Sequence, residues 1–379
     1  MTSDIDYSNK VVLAPMVRVG VLPFRLTALE YGADLVWTEE LVDKRVIGSV
    51  RKYNPVTKAI EYWKGDRLTF STCEEERGRV IFQLGTADPD LALQAALTVK
   101  DDVAGIDVNC GCPKKFSIQG GMGAALLTNP DRLRKILTNL VQNLDIPVTC
   151  KIRLLETEEE TLKLVKMIES TGVRALTVHC RTKEQRSSTA ANWEAFKAIA
   201  ATVKSIPVIV NGDVNTRLDI PRIKEITNAD SFMIARGAQH NPSAFLKEGP
   251  LPLEEVIQTY IKKCIDLDNM HQNTKYVLLT MYTDPKDTRS ERYTKLQRAK
   301  SMLAICEIYG LVDYYNEVQA LHEARRKEIE QEKRQTEEQE QKKEGDADQQ
   351  TDDKITGQKR EALADDSELQ SKKPKVACT

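Results

Sequence analysis

From residue 11 to residue 238 the chain alternates between two hydrophobic patterns. Short β-branched runs recur as VVLAPM (11–16), ADLVWTEEL (33–41), RVIFQLG (79–85), GIDVNCG (105–111), PVTCKIR (147–153), ALTVHCR (175–181), PVIVNGD (207–213) and SFMIARGA (231–238). Between most of them apolar residues fall at three- and four-residue spacing, as in DPDLALQAALTVK, NPDRLRKILTNLVQNL and ETEEETLKLVKMIESTG, the last with Gly172 placed as a C-cap. Eight strand-plus-helix units predict an α/β fold, a (β/α)8 TIM barrel. A doubly wound dinucleotide fold needs G-x-G-x-x-G after its first strand, and the sequence there is APMVRVG. The segment 44–78 is long for one loop and predicts a small insertion.

After Pro250 the strand pattern stops. LPLEEVIQTYIKKCIDLDNM and residues 288–323 have helical spacing, with Val256, Ile257, Tyr260, Ile261 and Cys264 on one stripe. From about residue 331 the chain is mostly Gln, Glu, Lys and Asp, with Ile355, Leu363, Leu369 and Val376 as its sizeable apolar residues. Such a stretch cannot offset the entropy cost of folding. The expected division is therefore a barrel over 1–248, a small helical domain over 249–330 and a disordered charged tail over 331–379, with a charged helix continuing across 323–340. Lys359-Arg360 and Lys372-Lys373-Pro374-Lys375 resemble a two-part nuclear import signal, so the expected location is cytoplasm, nucleus or both.

Charge and composition narrow the picture. With 55 basic and 57 acidic residues the net charge is −2, so any nucleic-acid surface must be a local patch. No apolar run reaches membrane-spanning length, and MTSDIDYSNK lacks the apolar core of a secretory leader. A soluble chain, a monomer with no membrane partner, is expected, with its eight cysteines as reduced thiols.

In a barrel the chemistry gathers at the C-terminal ends of the strands. Here they carry Pro15-Met16, Glu39-Glu40, Gln83, Asn109 with Cys112, Lys151 with Arg153, His179 with Arg181, Asn211-Gly212-Asp213 and Arg236-Gly237. Any one of these suits a satisfied core polar group; their repetition strand after strand points to a site. The loops after strands seven and eight form the common barrel phosphate site, and Gly212 and Gly237 allow close backbone approach. A phosphorylated cofactor held there has its reactive ring near Gln83, Asn109, Lys151 and His179, an arrangement that flavin mononucleotide (FMN) fits. Cys110, Cys112, Cys150 and Cys180 raise the alternative of a metal. Zinc pairs usually show wider C-x2–4-C spacing, and alternation along strand five turns Cys150 away from Lys151, so no metal is expected.

The stretches LAPMVRVGVLPFR, FQLG, DVNCGCPKKFSIQGGMGAALL, CKIR, VHCR, VNGDV and IARGAQHNPS together resemble the tRNA-dihydrouridine synthase family, in its eukaryotic branch acting on position 20 of the D-loop. Cys110 stands where that family usually has Met, and Cys180 where it usually has Gly. The resemblance implies FMN surrounded by Pro15, Met16, Val17, Glu40, Gln83, Lys151, His179, Asn211, Gly212, Asp213, Ala235 and Arg236, with NADPH as reductant in a ping-pong cycle. It also implies Cys112 as the acid that protonates C5 of uracil after hydride arrives at C6. Such an acid must hold its proton when substrate arrives, so its thiol should not have a depressed pKa.

Asn109, Arg153 and Arg181 are expected at the uracil or a neighbouring phosphate of the tRNA. In KDTRSERYTKLQRAK, Arg289, Arg292, Lys295 and Arg298 are spaced three apart on an expected helix, and Arg292 and Lys295 are the candidate tRNA contacts. Two rival functions share the same fold: an FMN oxidoreductase acting on a small unsaturated ring, and a tRNA-binding or folding protein whose catalysis is secondary.

Overall fold

Among the described residues, 5–336 and 339 of this computed structural model, eight parallel strands close into a barrel. In chain order the sheet elements begin with β1 (Val11–Leu13), β2 (Val36–Trp37) and a short β3 (Leu41–Val42). An antiparallel insertion follows, β4 (Val50–Asn54), β5 (Ala59–Lys64) and β6 (Arg67–Thr72), where the long 44–78 segment predicted one. The barrel resumes with β7 (Val80–Gly85), β8 (Gly105–Asn109), β9 (Val148–Arg153), β10 (Ala175–His179), β11 (Val208–Asn211) and β12 (Ser231–Ile234). β1 pairs with β12 and with β2, and β2 pairs with β7, which closes the ring; β3 extends the β2 side along β7 through Leu41 and Leu84.

Alternation along the strands sorts two different interiors. Val108, Cys110, Cys150, Ile152, Val178 and Val210 belong to the large core between strands and helices. Val12, Trp37, Ile81, Ala175, Ile209 and Met233 form a smaller apolar core of their own, and on β1 and β11 they alternate with residues of the larger one. Toward the strand ends that second set of positions turns polar: Gln83, Asp107, Asn109, Thr149, Lys151, Thr177, His179 and Asn211.

The helices around the barrel are α1 (Leu22–Glu30), α2 (Asp43–Val46), α3 (Pro89–Val99), α4 (Lys115–Gln119), α5 (Pro130–Asn143), α6 (Glu158–Glu169), α7 (Trp193–Thr202), α8 (Ile220–Thr227) and α9 (Arg236–His240). Their starts are written locally: Asp88, Asn129, Thr157 and Asn192 each accept a backbone N–H of the first turn, and Pro89 and Pro130 open α3 and α5. Each such cap contributes about 1 kcal/mol.

The region after Pro250 is helical as expected: α10 (Leu253–Asp266), α11 (His271–Met281), α12 (Glu291–Arg298) and α13 (Met302–Tyr309). α10 buries Val256, Ile257, Tyr260, Ile261 and Cys264. Tyr260 meets Phe24 of α1 edge-on at 5.9 Å, and the Tyr31 hydroxyl donates to Thr259 Oγ1 at 3.0 Å. From α11, Asn273 donates to the carbonyl of Arg18 at 2.7 Å and Tyr276 lies under its guanidinium at 4.2 Å. The helical region thereby braces the β1–α1 loop, and both lie within one unit, Met1–Val318. Within Gln319–Thr379, the second unit, residues 319–336 and 339 are helical. The remainder of the tail, including both basic clusters, lies outside the described residues. No helix among the described residues is long and apolar enough to cross a membrane.

Candidate active site

The loop after β8 is tied down from three directions. Asn109 Oδ1 accepts the backbone N–H of Gly111 at 2.9 Å and of Cys112 at 3.1 Å, so one side chain fixes the turn. Arg153 Nε donates to the Gly111 carbonyl at 2.9 Å, and Ala124 N donates to the Cys112 carbonyl at 3.0 Å. Gly123, at φ +58°, makes that return possible: a Cβ there would stand 2.7 Å from the Cys112 carbonyl and 2.9 Å from its Cβ. Among the described residues Cys112 is the one cysteine that is not buried. Burial and the neighbouring Glu40 carboxylate push its thiol pKa up, so it carries its proton at neutral pH.

Beneath it runs a buried polar chain. Thr149 donates to Asp107 Oδ1 at 2.7 Å, Gln83 Nε2 donates to Asp107 Oδ2 at 2.8 Å, and Asn109 Nδ2 donates to Gln83 Oε1 at 3.3 Å. Asp107, fully buried and not singled out from sequence, thus orients Gln83, which orients Asn109, which holds the thiol loop. The signal was present: Asp107 and Asn109 are two apart on one strand and must share a face. Lys151, across from Asn109 in the β8–β9 register, has its pKa pushed down to about 8, by burial first and then by Arg153.

The other side of the mouth is cationic. A cavity of about 220 Å³ is lined by Arg153, His179, Arg181, Arg186, Asn211, Gly212, Asp213, Ala235 and Arg236, among others. Asp213 is the only carboxylate in that lining. Arg181 donates to both oxygens of Asp213 at 2.6 Å, and Arg236 to Oδ1 at 2.6 Å. Arg181 is 2% exposed and also donates to the Thr189 carbonyl at 2.6 Å. Arg153, also expected at the substrate, uses two donors on the Gly111 and Thr182 carbonyls. Gly212, at φ +109°, packs on the His179 ring, where a Cβ would come to 2.9 Å of Cδ2. His179 has its pKa pushed down to about 2 by burial and by Lys151, Arg153, Arg181 and Arg236, and is therefore neutral.

The remaining expected residues lie around this mouth or away from it. Pro15, Met16 and Val17 open the β1–α1 loop, with the Met16 carbonyl accepting from Val19 and Gly20 and with Val17 exposed. Glu40 sits beside Cys112 and Asn109. Arg292 and Lys295 line a groove on α12 and α13 together with Arg298 and Lys300; Arg292 is paired with Glu254 at 2.5 Å and Lys295 with Glu291 at 2.9 Å. Cys110 and Cys150 lie 3.5 Å apart, sulfur to sulfur, in the buried core, and Cys180 is buried as well. No group of three His, Cys, Asp or Glu among the described residues is arranged to hold a metal ion. The cavity suits an anion such as a phosphate: four arginines and one carboxylate line it.

What fold and site define is a (β/α)8 barrel whose mouth carries a protonated thiol on the β8 side and a cationic recess on the β10–β12 side. The family model described as dihydrouridine synthase (Dus) matches residues 12–359. The chain is 47% identical over 285 residues to the NAD(P)+ tRNA-dihydrouridine(20) synthase of Schizosaccharomyces pombe, an alignment covering 72% of this chain and 60% of that relative. Against the enzyme of the same name from Saccharomyces cerevisiae it is 41% identical over 301 residues, covering 72% of this chain and 77% of the relative. With tRNA-dihydrouridine synthase B of Shewanella oneidensis it shares 32% identity over 331 residues, 81% of this chain and 95% of the relative. The chain belongs to the dihydrouridine synthase family.

Proposed function

We propose that this chain reduces uridine to 5,6-dihydrouridine in tRNA, at position 20 of the D-loop, with FMN as resident cofactor and NADPH as its reductant. The observation that carries the reading is Cys112, a partly exposed thiol held in its protonated form at the barrel mouth by a loop fixed on Asn109 and Arg153. FMN, when bound, supplies the hydride that adds to C6 of uracil. Arg236 holds the phosphate in the arginine-lined recess while Arg181 fixes Asp213 beside it, and Lys151 keeps a positive charge at the barrel axis. Cys112 gives its proton to C5 from the opposite side of the base. Asn109, held between Gln83 and Glu40, stands where the uracil edge would lie. The target base must leave its stack, at a cost of a few kcal/mol. Arg292 and Lys295, in the helical tRNA-binding region 249–330, supply compensating backbone contacts. A reducing compartment, cytoplasm or nucleus, belongs to the same proposal, because Cys112 carries a proton only as a free thiol.

The purified protein should show the visible absorption band of a flavin, release FMN on heating, lose the band with NADPH and regain it with bulk tRNA while dihydrouridine forms. Free uridine should not restore it. A colourless protein that takes up no FMN, or turnover of free uracil equal to that of tRNA, would overturn the reading.

A further inference from the structure

Glu40 lies in the link between β2 and β3, and the resemblance places it at the cofactor. The structure sets it beside Cys112 and Asn109. Its carboxyl packs on Gly85 at the end of β7, where an added methyl would stand 2.7 Å from Oε1 and 3.2 Å from Cγ, so no bulkier residue leaves room for it. Oε1 is buried and accepts no hydrogen bond. The polar side chains beside the carboxyl are the Cys112 thiol and the Asn109 amide. A buried, unpartnered carboxylate oxygen costs about 1–3 kcal/mol or more, and such groups gather where chemistry uses them.

The charged groups facing Cys112 can be read from each element around it. β9 contributes Lys151 and Arg153, α4 contributes the uncharged Ser117, and the β2–β3 link contributes Glu40. Glu40 is the one carboxylate among them. Burial pushes the Glu40 pKa up, while Cys112 and Asn109 work the other way. Thiol and carboxyl thus form a pair that resists losing its last proton.

We propose that Glu40 is a positioning residue for the Cys112 proton: it keeps the thiol as S–H between turnovers and passes a solvent proton to the thiolate left after transfer. The inference rests on the reading of Cys112 as the acid. The protons balance. The S–H bond breaks as C5–H forms; the Glu40 carboxylate then takes one proton from water, and that new O–H breaks as S–H re-forms, which returns both groups to their starting state.

The test uses the full-length flavin-loaded protein with Glu40→Gln and, as a conservative second variant, Glu40→Asp. Iodoacetamide alkylation of Cys112 is followed by mass spectrometry against pH, with Cys112→Ala as the blank. Removing the carboxylate should lower the pH midpoint of alkylation, so that Cys112 in Glu40→Gln reacts several-fold faster than wild type near neutrality, and Glu40→Asp should fall between. Reoxidation of the reduced protein by tRNA should slow about tenfold to a hundredfold in Glu40→Gln, less than on loss of the acid itself, with its decline at high pH shifted. An alkylation midpoint that does not move sinks the proposal, and so does loss of FMN from Glu40→Gln, which would return Glu40 to the cofactor. If Cys112→Ala still makes dihydrouridine, the reading of Cys112 has failed first. An inactive Cys112→Ala beside a wild-type-like Glu40→Gln removes Glu40 alone.

Discussion

The two sides of the barrel mouth use the same strand-end geometry and reach opposite electrostatic states. On the β8 side Cys112 and Glu40 are desolvated beside each other, and both hold protons more tightly than usual. On the β10–β12 side burial works to raise Asp213 as well, yet the hydrogen bonds from Arg181 and the Ala191 N–H, with the charge of Arg236, bring it below the ordinary carboxylate range. Depth in the barrel does not decide the charge state; the partner does. A thiol facing a carboxylate stays a donor of protons, while a carboxylate facing two guanidiniums leaves a net cationic recess for an anion.

The largest test of that contrast is Cys112→Ala. If Cys112 is the acid as proposed, its loss should lower dihydrouridine formation about 10²- to 10⁴-fold, with flavin content and the NADPH-driven loss of flavin colour unchanged. Equal losses in flavin content would merge the two sides into one structural unit. On the cationic side, Asp213→Ala leaves Arg181, 3% exposed at its side chain, without its counter-ion. Breaking such a pair should cost about 2–3 kcal/mol of stability, toward the low end for buried pairs because Asp213 is 25% exposed, and should weaken FMN retention. Urea unfolding and flavin release measure both, and a variant as stable as wild type would show that Arg181 needs no partner. Smaller still is the effect far from the mouth. Arg292→Gln with Lys295→Gln should weaken tRNA binding and flatten the dependence of log K on log salt by up to about 1.4–1.8, with flavin content intact. An unchanged slope would remove α12 from the RNA surface.

The barrel was legible because its strands are Val- and Ile-rich and its helices carry their own caps; neither depends on distant partners. Cys112 and Asn109 were legible because both lie in one loop. Arg181 and Arg153 were harder to read. Their positions at strand ends put them at the site, but their partners lie far along the chain: Asp213 for Arg181, 32 residues away, and the Gly111 carbonyl for Arg153, 42 residues away. A side chain's role is set by which carbonyl or carboxylate the fold brings to it, and spacing along the chain does not carry that. Glu40 shows the same limit: its place beside the thiol follows from the close pass of the β2–β3 link over Gly85. Asp107 lies two positions before Asn109 on one strand, so period-two alternation alone puts both on the inner face.

His179 supplies the finest test of the cationic side. Its pKa is pushed down to about 2, first by burial and then by Lys151, Arg153, Arg181 and Arg236. An unfolded histidine titrates near about 6.5, so above that pH neither state is protonated and His179 adds nothing to the pH dependence of stability. As pH falls below about 6.5 the unfolded chain binds a proton that the folded chain refuses, and stability declines until about pH 2, with a limiting slope of about 1.4 kcal/mol per pH unit. Lys151 does not mimic this, because its depressed value, about 8, leaves it protonated in both states throughout the acid range. The urea midpoint of wild type should therefore fall more steeply from pH 6.5 to pH 5 than that of His179→Gln, by up to one proton. Parallel curves would mean that His179 takes up its proton in the folded protein, and that the four cations around it are already neutralised by a group on the other side of the mouth.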